Sequence, residues 1–92
     1  NTIADGLATR VPFDLPFSIL KEGISQIVLI SEEEIQDGIR MALRYTHNLA
    51  EGAAVSPIAA ARKLKAELAN QNVVMVMSGG NLDTKTLKRV LA

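Results

Sequence analysis

Ser78-Gly79-Gly80-Asn81 is the stretch whose residue types and spacing best suit chemistry. It follows Val73-Val74-Met75-Val76-Met77, five apolar residues in a row. Such a run, rich in Val and bounded by Asn72 and Ser78, predicts a strand buried on both faces. Strands of that kind sit mostly in parallel sheets covered by helices, where ligands bind just beyond the carboxyl ends. Ser78 stands at that point with a hydroxyl to offer. Gly79 and Gly80 behind it let the backbone turn and approach a ligand closely. The same pattern also marks an ordinary turn after a buried strand. It resembles a phosphate cradle as well, but lacks the Lys-Ser/Thr of a P-loop and the spacing of GxGxxG.

Other reactive side chains have simpler readings. His47 falls near a helix C-terminus, where an imidazolium complements the dipole. Glu32-Glu33-Glu34 reads as the start of a helix rather than a metal site, and no metal centre is expected. Met75 and Met77 read as packing on one strand face. The absence of cysteine excludes disulfides, cysteine-ligated zinc and thiol catalysis.

The elements that must position Ser78 follow from pattern. Residues 1–23 read as irregular, with Pro12 and Pro16 interrupting regular structure and Pro16 starting a short turn through Leu20. Ile24 to Ile30 predicts a second apolar strand. Ser31 then caps a helix, and Glu34 three residues later completes a capping box. Ile35, Ile39, Ala42, Leu43 and Thr46 share one face of that helix, which runs to about Tyr45. Leu49 to Val55 reads as a connection of small residues. Ser56 caps the next helix with Pro57 in its first turn, and Ile58, Ala61, Leu64 and Leu68 form its inward stripe. Asp83 caps a terminal helix bearing Leu87, Val90 and Leu91.

The expected fold is therefore α/β: a three-layer, mostly parallel sheet with covering helices, to which this chain supplies about two strands and three main helices. Two parallel strands alone make no stable covered sheet. Residues 1–92 thus read as one segment of a larger domain, completed by the rest of that domain or by another copy of the chain.

Composition narrows the function. Apolar residues make up 48% of the 92 and charged residues 22%, which suits a folded globular piece and argues against disorder. A net charge of zero provides no basic surface for nucleic acid or anionic lipid. Aromatics at 3% leave no stacking platform for single strands. No apolar run approaches the ~20 residues a membrane span needs, and no signal-peptide pattern opens the sequence. The cytoplasm is the expected compartment.

Three segments resemble a known family. Thr2-Ile3-Ala4-Asp5-Gly6-Leu7 is similar to the "TIADG" segment of threonine dehydratases and serine racemases, pyridoxal-phosphate enzymes of the tryptophan-synthase β-like fold. Thr46-His47-Asn48-Leu49-Ala50-Glu51-Gly52-Ala53-Ala54 resembles their glutamate-containing "AEGAGA" segment, with Ala54 where glycine is common. Ser78-Gly79-Gly80-Asn81-Leu82-Asp83 resembles their "SGGN(I/V)D" segment. The three occur in the family's order and span nearly the whole chain, corresponding to the C-terminal portion of the catalytic domain.

The resemblance implies roles for the matched residues. Ser78 would offer its hydroxyl to the pyridine nitrogen of pyridoxal phosphate. Gly6 would lie against the ring face, Gly79 and Gly80 would shape the turn, and Glu51 would act near the substrate end of the cofactor. A neutral serine partner, rather than an aspartate, suits a weaker electron sink and prompt loss of a β-hydroxyl. The implied reaction is β-elimination from threonine or serine to give a 2-oxo acid and ammonia, in an expected homo-oligomer. The family's Schiff-base lysine and phosphate loop lie N-terminal to the matched region. Lys63, Lys65, Lys85 and Lys88 read as solvated helix residues. The isolated chain is therefore expected to be inactive. Two other classes stand beside this one: a small phosphate- or nucleotide-binding α/β module, and a non-catalytic, self-associating fragment.

Overall fold

A computed structural model describes all 92 residues, and every regular element in it is helical. After a 3-10 turn at Asp5–Leu7, α1 spans Asp14–Gly23, α2 Glu32–Met41, α3 Gly52–Lys63 and α4 Thr84–Leu91. A π-helical turn, Ala42–Thr46, prolongs α2. His47 then ends it in the left-handed region, at φ 57°.

Local chemistry sets several of these boundaries. Ser31 Oγ accepts the Glu34 amide at 3.2 Å, and Glu34 Oε2 accepts the Ser31 amide at 2.6 Å. Together they satisfy two donors that the first turn of α2 would leave unpaired. Asp83 does the same for α4, accepting the Thr86 amide at 2.8 Å and the Thr86 hydroxyl at 2.7 Å. Asn70, at φ 62°, turns the chain after α3, a conformation its short polar side chain tolerates.

The core lies between α2 and α3. Ile35, Ile39 and Ala42 pack with Ala54 and Val55, and Ala4, Ala50 and Val90 complete the cluster. A methyl group at Gly38 would stand 3.1 Å from Val55 Cβ, so glycine sets how closely the two helices approach. Arg40 ties in α4 by donating from Nε to the Val90 carbonyl at 2.7 Å.

The α/β expectation is corrected here. Residues 24–30 and 73–77 contain no strand, and no sheet forms. A strand exists only through its neighbour's amides and carbonyls. No backbone bond joins these two segments; the one backbone bond either makes runs from the Ile24 amide back to the Leu20 carbonyl, at the end of α1. Far from being buried on both faces, Val74 is 91% exposed and Leu29 82%.

The α3 boundary is corrected too. The helix begins at Gly52, inside the predicted small-residue connection. Ser56 is no cap: it is buried, and its hydroxyl donates to the Gly52 carbonyl one turn back at 3.0 Å. Burial of Ala54 and Val55 against α2 outweighs the local Ser-Pro start signal. Residues 14–23, expected to hold only a short turn, form the ten-residue α1.

Candidate functional site

The loop before α3 and the turn after residues 73–77 meet at Glu51. Glu51 is the residue preceding the first turn of α3, yet its side chain makes no capping bond to that helix. Its Oε2 instead accepts the Asn81 amide at 2.8 Å, and its own amide donates to the Gly79 carbonyl at 3.2 Å. Oε1 is left facing Gly79, where an added methyl would stand 3.0 Å away.

Gly6 arrives from the N-terminal segment. A methyl there would stand 3.2 Å from Ala53 Cβ and 3.9 Å from Glu51 Oε1. Two contacts fix that segment. A methyl at Gly52 would collide with the Ile3 carbonyl oxygen at 2.5 Å, so backbone packs on backbone there. From α2, Glu32 Oε2 accepts the Ile3 amide at 3.0 Å. Bonds from the Thr2 hydroxyl and the Ile3 amide hold the Glu32 carboxyl below its ordinary range.

Of the four predicted site residues, Gly6, Glu51 and Gly79 are therefore brought together. Ser78 adjoins Gly79 in the chain, is exposed, and spends its hydroxyl on no bond within the chain. Glu32, Asn81 and Gly52 had no predicted part in the site, although the last two lie within the motifs. Glu32 looked like helix-start charge, and Asn81 contributes only a backbone amide, which no side-chain pattern reveals.

Glu51 borders a cleft of about 530 Å³, shared with Asp5, Glu32, Asn81, Asp83 and Arg89. A larger groove, about 990 Å³, lies along α2 and α3 near Arg40, Tyr45, Lys65 and Met75, and contains none of the four residues. No three acidic or histidine side chains gather to hold a metal ion.

Residues 1–79, a span that includes all four positions, match the family described as "Pyridoxal-phosphate dependent enzyme". The chain belongs to that family. Several curated proteins resemble the chain along nearly its full length. L-threonine ammonia-lyase of Thermotoga maritima is 37% identical over 90 residues, 98% of this chain and 22% of the relative. L-threonine ammonia-lyase of Geobacter sulfurreducens is 38% identical over the same shares. L-threonine dehydratase catabolic TdcB of Staphylococcus aureus is 33% identical over 94 residues, 99% of this chain and 27% of the relative. The chain thus spans about a quarter of the length of the curated relatives it matches. No helix is long and apolar enough to cross a membrane.

Proposed function

We propose that this chain is the C-terminal portion of the catalytic domain of a pyridoxal-phosphate-dependent ammonia-lyase, which eliminates the β-hydroxyl of threonine or serine to give a 2-oxo acid and ammonia. The likeness to two threonine ammonia-lyases and a threonine dehydratase supports the reaction class. The observation that carries the site is the position of Glu51 Oε1, which faces both Gly6 and Gly79. Three segments far apart in sequence thereby share one small space.

The residues fit a flat heteroaromatic group. Ser78 has a free, exposed hydroxyl, and the glycines at 6 and 79 let Ala53 and the Glu51 carboxylate come close, to 3.2 Å and 3.0 Å from where a Cβ would stand. Pyridoxal phosphate, when bound, supplies an electron sink for the substrate's α-carbon. Ser78 would donate its hydroxyl to the ring nitrogen and, being neutral, would not force that nitrogen to stay protonated. Gly6 would lie against the ring face. Glu51 orients groups at the substrate end with its free oxygen.

The rest of the catalytic domain, or a second copy of the chain, covers the exposed apolar residues, and the rest of the domain supplies the lysine that would anchor the cofactor. The isolated chain is inactive for want of that lysine. The whole enzyme is a cytoplasmic homo-oligomer.

The test is Ser78→Ala in the whole enzyme. Turnover should fall roughly tenfold or more, on the scale of one lost hydrogen bond. The thermal midpoint should stay within ~2 °C, because an exposed, unbonded side chain contributes little to folding. Unchanged turnover would remove Ser78 from the site.

A further inference from the structure

Glu51 holds the Ser78-Gly79-Gly80-Asn81 turn from both sides of Gly80. Its amide donates to the carbonyl before Gly80 and its carboxylate accepts the amide after it, at 3.2 Å and 2.8 Å. The residue itself is well anchored. Ala50 beside it is buried, and the Glu51 carbonyl accepts the Val55 amide at 3.1 Å, tying it to α3.

The turn has little else to hold it. Gly80 lies directly on the strand of backbone leading to Glu51, where a methyl would stand 2.6 Å from the Leu49 carbonyl oxygen. Leu82 returns its amide to the Gly80 carbonyl at 2.8 Å, a bond inside the turn. The carboxylate–amide bond is charge-assisted, and so stronger than a neutral one. A side chain placed to cap its own helix has been diverted to another segment.

We propose that Glu51 is a positioning residue for Ser78: one carboxylate oxygen fixes the turn that presents the Ser78 hydroxyl, and only the other is free for substrate. This deepens the cofactor reading and rests on it. The two roles are chemically separable. Glutamine at position 51 keeps an acceptor for the Asn81 amide but loses the charge, whereas alanine loses both.

The test uses the whole enzyme titrated with pyridoxal phosphate, reading the bound cofactor's absorption spectrum, its affinity and the thermal midpoint. Glu51→Gln should keep the wild-type spectrum. Glu51→Ala should shift it and weaken affinity about tenfold, the loss of one charge-assisted bond. Ser78→Ala should produce the same shift, and adding Glu51→Ala to it should change the spectrum no further, since residues acting as one unit are not additive. Gly79→Ala gives a second route, displacing the carboxylate rather than removing it. It should shift the spectrum even if the Glu51→Ala enzyme does not fold.

A wild-type spectrum in both Glu51→Ala and Gly79→Ala would overturn the proposal. So would Glu51→Gln behaving like Glu51→Ala, or additive effects of Glu51→Ala and Ser78→Ala. If Ser78→Ala alone matched wild type in spectrum and affinity, the cofactor reading would fail and the proposal with it.

Discussion

Gly52 and Gly80 are glycines for lack of room. Neither has positive φ, so torsional freedom is not what requires them. Each instead lets one backbone rest on another, against the Ile3 and Leu49 carbonyl oxygens at 2.5 Å and 2.6 Å from where a Cβ would sit. Gly52→Ala should therefore destabilise the whole enzyme by ~1–3 kcal/mol, the usual cost of overpacking. Gly23, with nothing within 4 Å of its would-be Cβ, is the control, and Gly23→Ala should be neutral or slightly stabilising. Denaturant midpoints for the two variants would check this, and equal midpoints would refute it. That glycines would crowd near Ser78 was legible in the sequence. Which carbonyl each one meets was not, because the partners lie in segments up to tens of residues away.

At the scale of elements, what is local was readable and what is tertiary was not. The Ser31–Glu34 box and the Asp83 cap involve residues three apart, and both form as predicted. The start of α3 was misread because Ser56-Pro57 is a local signal, while the burial of Val55 depends on α2. The strands failed for a related reason: apolar pattern supplies side chains for a sheet but not the neighbouring backbone.

The caps also carry a pH prediction. Hydrogen bonds from Ser31 to Glu34, and from Thr86 to Asp83, hold both carboxyls below their ordinary values of 4.5 and 3.8. A carboxyl that is more acidic in the folded state binds fewer protons than in the unfolded chain, so stability rises with pH across that range. The stabilisation should be complete above about 4.5 and drain away as pH falls below it. Unfolding midpoints measured from pH 6 down to ~3 should decline less steeply for Glu34→Gln than for wild type. Parallel curves would contradict the role given to the cap.

The whole molecule is less closed than its length predicts. It exposes 7328 Å², against the ~5200 Å² usual for a folded monomer of this size. Its radius of gyration is 14.1 Å, against ~12 Å. Only 12 of 92 residues are buried, which is too few to fill a core of its own. The excess surface includes the exposed apolar side chains of Leu15, Ile27, Leu29 and Val74. The runs at residues 27–30 and 73–77, apolar without interruption, were legible in the sequence, and in the fold they lie largely exposed rather than in a sheet.

The proposed site turns on one hydroxyl and one ring nitrogen. A crystal structure of the whole enzyme with pyridoxal phosphate bound tests it most directly. Ser78 Oγ should stand ~2.7–3.1 Å from the pyridine nitrogen, with Gly6 against the ring face. A different residue at that nitrogen, with Ser78 turned away into packed protein, would contradict it.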